Sequence, residues 1–139
     1  LMDLAAGYNT NVLSANILAQ RAALASLGTK HLWMKGMVEQ ARRNQDMIKK
    51  AVDRVEGAFL PVYPSSTNMF VIDIGGTGVE PAALQDEMLY GHHVFIRSGS
   101  YVSREYGDRF VRVSFTVPEE GIRRFVRAFP LAVEKLRKR

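Results

Sequence analysis

The first residue in this sequence that points to chemistry is an arginine in the middle of an apolar strand. In the run FVRVSF at 110–115, two-residue alternation puts Phe110, Arg112 and Ser114 on one face and Val111, Val113 and Phe115 on the other. A guanidinium in such company is costly unless an anion meets it, and its planar fork suits a carboxylate through two parallel hydrogen bonds. An acidic group is therefore expected over that face. Two sources fit: a carboxylate built into the fold, with Asp73 on the neighbouring strand as the obvious candidate, or a bound one. Composition alone does not separate them.

Other polar residues carry weaker signals. Arg97 closes the run VFIR at 94–97, where it either stands in solvent or pairs with Glu105 or Asp108. Asn68 opens a strand, a place where asparagine satisfies nearby backbone groups. Tyr101 and Tyr106 fall in the loop between two strands, at the border of an entrance or on ordinary surface. The glycines of Gly75-Gly76-Thr77-Gly78 follow a strand but lack both the P-loop ending and the dinucleotide spacing, so they read as a turn. His92 and His93, adjacent on an expected strand, point to opposite sides and do not share a metal.

The elements that must position these groups are read from periodicity and caps. Thr10 and Asn11 can cap a helix running from Val12 to Leu27, apolar around most of its circumference and stopped by Gly28. Such a helix is expected to be covered on several sides. Thr29 opens a longer amphipathic helix ending at Gly57, with Met34, Met37, Val38, Ala41, Ile48 and Val52 at three- and four-residue steps. Strands are expected at 68–74, 94–97 and 110–115, and a short helix from Glu80 to Tyr90 that stops at Gly91. Thr116 and Glu119 form a T-x-x-E capping box before a last helix carrying Ile122, Phe125, Phe129 and Val133 on one face, kinked or restarted at Pro130. The order implies an α/β sandwich in which a small, largely antiparallel or mixed sheet is covered by helices.

Composition narrows the chemistry. The 139 residues are 47% hydrophobic and 24% charged, the balance of a folded domain. Cysteine is absent, which removes thiolate metal sites, iron–sulfur clusters and thiol nucleophiles and leaves His, carboxylates, Lys, Arg and hydroxyls. No apolar run approaches the roughly 20 residues that cross a bilayer, and no signal peptide is visible, so a cytoplasmic protein without membrane partners is expected. The net charge of +5 owes much to the basic residues between Arg123 and Arg139, which complement a helix C-terminus, and nucleic acid is not an expected partner. The opening Leu1-Met2-Asp3, running at once into a dense apolar segment, reads as a piece of something longer.

Several stretches in order resemble one family. Ser66-Thr67-Asn68-Met69-Phe70, VFIRSGS at 94–100, YGDRFVRVSF at 106–115 and VPEEGIRRFVRAF at 117–129 are similar to the C-terminal part of class I/II aminotransferases, fold-type I pyridoxal-phosphate enzymes related to aspartate aminotransferase. VLSANILAQRAALASL at 12–27 is similar to the stretch that follows the cofactor lysine there. The resemblance implies an interface helix segment over 1–28 and the small domain over 29–139. It implies that Arg112 binds the α-carboxylate of the substrate, that Arg97 helps to meet an acidic or phosphorylated substrate, and that Asn68 lies near the pocket. It also implies pyridoxal phosphate bound by a large domain that this chain lacks, amino acid and 2-oxo acid substrates, and a homodimer. The cofactor lysine of the family lies upstream of anything present, so these residues alone are expected to be inactive. The alternative is a non-enzymatic module that binds RNA, suggested by a faint likeness of RFVRVSF to an RNA-binding octamer, or that binds another protein through the apolar first helix.

Overall fold

The computed structural model describes residues 15–138. The chain divides into two compact units, Leu1–Met37 and Val38–Arg139. The expected caps Thr10 and Asn11, and the helical start at Val12, lie outside the described residues. Helix α1 spans Ile17–Gly28: Ala15 and Asn16 are not helical, and the Asn16 side chain accepts the Leu18 N–H at 2.8 Å, satisfying a first-turn donor. At the other end the Thr29 N–H and hydroxyl both donate to the Ala25 carbonyl, at 3.1 and 2.9 Å. The apolar residues of α1 lie open, with Leu18 72% and Leu24 73% exposed.

Helix α2, Lys30–Val52, crosses from the first unit into the second. Its first half leaves Met34 and Met37 exposed, whereas Ile48, Ala51 and Val52 are fully buried in the second unit. It ends five residues before Gly57, whose φ of +78° turns the chain hard against Gly76. Buried Asn44 and Gln45 carry no charge and close loops instead. Asn44 donates to the carbonyls of Phe115 and Val117, at 2.8 and 2.9 Å, and Gln45 exchanges two hydrogen bonds with the Ser65 backbone.

The sheet has three antiparallel strands in the order β1-β3-β2: β1 is Met69–Asp73, β2 is Arg97–Ser98 and β3 is Phe110–Ser114. Phe70, Ile72, Val111 and Val113 turn inward, where α2, α3 (Pro81–Asp86) and α4 (Glu119–Arg137) supply Val52, Leu84, Ile122, Phe125 and Phe129 to one core. Phe70 meets Phe115 at 4.8 Å between centroids, and Phe125 stacks on Phe129 at 5.2 Å. This is the expected α/β arrangement, a small antiparallel sheet with helices over one face.

Three local expectations are corrected. The second strand is shorter than 94–97 because α3 widens into a π turn at Glu87–Gly91, the Val94 N–H donates to the Met88 carbonyl, and His93 takes a φ of +56°. The segment 94–96 is thereby held off β3, and His92 and His93 sit at a helix end, not on a strand. The capping box does not form, since Pro118 itself occupies the N-cap position and Thr116 falls too early to reach the first turn. Helix α4 passes through Pro130 without a break, with Phe125, Phe129, Ala132 and Val133 packed on both sides of it.

Candidate functional site

With the helices on one face of the sheet, the other face carries the polar residues. Val71 of β1, Arg112 of β3 and Arg97 of β2 are aligned across the three strands by the register, Val71 opposite Arg112 and Arg112 opposite Arg97. Directly opposed residues of an antiparallel ladder project to the same side, with Cβ atoms about 4.5–5.5 Å apart. Alternation along β3 holds as expected: Val111 and Val113 are buried, while Arg112 is half-buried and Ser114 exposed. Two arginine side chains therefore leave the sheet from neighbouring positions on one face.

Asp73 does not answer Arg112. Its Oδ2 accepts from Arg109, from Nε at 3.0 Å and from Nη2 at 2.9 Å, and its Oδ1 accepts the Gly75 N–H at 2.9 Å. Among the described residues no hydrogen bond, ion pair or ring contact engages the Arg112 side chain. Arg97 also lacks the expected pairing with Glu105 or Asp108; its guanidinium lies over two rings, 4.0 Å from the Tyr101 centroid and 5.4 Å from that of Phe95. Like charges opposed across a ladder are destabilising, and among the described residues no acidic side chain is paired with either arginine.

Asn68 stands at the edge of this arrangement. Its carbonyl accepts the Phe115 N–H and the Ser114 hydroxyl, both at 3.2 Å, which closes the β1–β3 ladder, and its side chain is exposed. Beside Ser114 a cleft of about 420 Å³ opens where β2 stops short, walled by Phe95, Val117, Ile122 and Phe125 and rimmed by the ion pair of Glu120 and Arg124. Tyr106 is exposed on the loop and touches neither arginine among the described contacts. Two ionisable groups elsewhere are displaced from their ordinary values. The hydrogen bond that Tyr63 donates to Asp46 pushes its phenol up, and Lys138 holds the Glu134 carboxyl down.

The sequence reading missed the Asp73–Arg109 pair, for which the one signal was the strand register. It predicts an effect on stability. Asp73→Ala leaves the Gly75 N–H and the Arg109 guanidinium without their acceptor, and is expected to cost about 1–3 kcal/mol. A urea denaturation midpoint measures that loss. Since Asp73 does not pair with Arg112, the outer face that carries Arg112 and Arg97 is expected to be unaffected.

The six lysines are exposed or ion-paired. Lys30, Lys35 and Lys50 are exposed on α2, Lys49 pairs with Asp53 at 2.6 Å, Lys135 with Glu87 at 2.8 Å, and Lys138 with Glu134 at 2.6 Å. A group that must be held through a lysine amine does not fit these residues. Among the described helices none is long and apolar enough to cross a membrane.

The chain is similar to several solved structures. It matches OvoB at 30% identity with a TM-score of 0.70, over 86% of this chain and 30% of that one. It matches a putative PLP-dependent β-cystathionase from Corynebacterium diphtheriae at 20% identity and 0.74, over 87% and 32%. An aminotransferase from Mycobacterium tuberculosis matches at 17% identity and 0.75, over 94% of this chain and 33% of that one. The chain thus spans about a third of the length of these structures. No curated protein matches it significantly. The family model for aminotransferase class I and II matches residues 1–129, nearly the whole chain, and the chain belongs to that family.

Proposed function

We propose that this chain is the C-terminal small domain of a pyridoxal-phosphate-dependent aminotransferase that moves an amino group between an amino acid and a 2-oxo acid. The observation that carries the reading is the half-buried Arg112, facing away from the core with no acidic partner among the described residues. Its fork takes the α-carboxylate of the substrate through two parallel hydrogen bonds. That grip fixes how the rest of the amino acid is turned, which lowers the barrier by orientation. Arg97, opposite it on β2, meets a second negative group, and Asn68 lies at the margin of the pocket. The cofactor is held by residues outside this chain, in keeping with the positions of its lysines.

The open apolar surface of α1 supports a further part of this reading. Residues 1–28 form an interface segment, and the complete enzyme is a homodimer in which Leu18, Leu24 and their neighbours are covered. The reading is tested by supplying the complete protein with pyridoxal phosphate, a panel of amino acids and a 2-oxo acid, and by measuring the new amino acid formed. Exchange that depends on both substrates is expected. Failure of every amino donor to give exchange overturns the proposal.

A further inference from the structure

Arg97 is not simply an arginine at a strand end. It is followed by a turn that is locked from several directions. Ser98 caps the short helical turn Gly99–Tyr101, accepting the Ser100 N–H and sharing a 2.9 Å hydrogen bond with the Ser100 hydroxyl. The Ser98 N–H is held by Gln85 Oε1 at 2.9 Å, and Val102 and Ser103 both donate to the Gly99 carbonyl, at 2.9 and 3.0 Å. Gly99 and Gly107 lie so close that a side chain at Gly99 would stand 2.7 Å from the Gly107 and Phe110 carbonyl oxygens. The backbone bearing Tyr101 is therefore fixed relative to β3.

On that fixed backbone Tyr101 is 72% exposed, yet its ring covers the Arg97 guanidinium at 4.0 Å, with Phe95 as a second ring at 5.4 Å. Stacking of this kind immobilises a long side chain while leaving the in-plane N–H groups of its fork unoccupied. Those N–H groups are the ones that bind anions, and among the described residues no acid takes them. Ordering the fork in advance removes part of the entropy that a flexible arginine loses when it binds.

We infer that Tyr101 is a positioning residue, whose ring holds the Arg97 fork in place for the negative group already proposed to meet that arginine. This rests on the reading of Arg112 and Arg97 given above. The shared chemistry is an anionic side-chain terminus, and a carboxylate and a phosphate are its two sources.

The test uses the complete holoenzyme as wild type, Tyr101→Ala, Tyr101→Phe and Arg97→Ala. The substrates are L-glutamate against L-glutamine, and O-phospho-L-serine against L-serine. Tyr101→Ala is expected to raise KM for the preferred anionic substrate roughly three- to tenfold. The matched neutral substrate and kcat should be little changed, and Tyr101→Phe, which keeps the ring, should behave as wild type. The pair that shows the effect identifies carboxylate or phosphate. Equal effects on charged and neutral substrates, a Phe variant as poor as the Ala variant, or no preference for charge in the wild type overturns the inference. If Arg97→Ala abolishes the preference for charge and Tyr101→Ala does not, only the positioning role fails. If Arg97→Ala leaves that preference intact, the reading of Arg97 fails with it.

Discussion

Replacing Arg112 by alanine in the complete enzyme is expected to lower kcat/KM for every amino acid substrate by about one to two decades. Hydrogen bonds to a charged partner contribute roughly 1.5–3 kcal/mol, and about 1.4 kcal/mol corresponds to a factor of ten. Arg112→Lys keeps the charge but not the fork, and should recover only part of the loss. Stability is expected to move the other way or not at all. Arg112 has no internal partner among the described residues and is opposed to Arg97 in the ladder, so deleting its guanidinium removes one of two opposed like charges and breaks no hydrogen bond or ion pair seen among them. A urea midpoint at or above wild type, together with the fall in kcat/KM, separates a binding role from a structural one.

Phe129→Ala is expected to have the largest effect on folding. Phe129 is 0% exposed and stacks on Phe125 at 5.2 Å, under a sheet whose inner face supplies Phe70, Ile72, Val111 and Val113. Truncating a buried phenylalanine costs about 3–5 kcal/mol, because the vacated space collapses only partly. Against a total stability of roughly 5–15 kcal/mol for a domain, that leaves little margin. Leu131, two residues on and 58% exposed on the same helix, is the control, since its truncation should stay within about 0.5 kcal/mol. Chemical denaturation of the two variants measures the contrast.

The residues differ in how openly the sequence showed their roles. Alternation in FVRVSF is a local property, and it located Arg112 on the outer face without reference to any other strand. The partner question was not local. Which carboxylate meets which guanidinium depends on register, and only the pairing of Asp73 with Phe110 brings Arg109, one residue earlier, to Asp73. The second strand misled for a related reason. VFIR has the pattern of a strand, but the π turn before it and the positive φ of His93 hold Val94–Ile96 away from β3, and neither has a signal in the pattern. Asn44 and Gln45 look like solvent-facing helix residues until the loops they tie down are in place. The stacking of Tyr101 on Arg97 was hidden because a 3₁₀ turn folds Tyr101 back over a residue four positions earlier.

The most direct measurement compares an amino acid with the amine that lacks its carboxylate, in the wild-type enzyme and in Arg112→Ala. In the wild type, loss of the carboxylate should lower kcat/KM by about the same one to two decades as loss of the guanidinium, because both delete one interaction. In the variant the amino acid and the amine should become nearly equivalent substrates. If the carboxylate retains its full advantage when Arg112 is gone, another group binds it and the assignment is wrong.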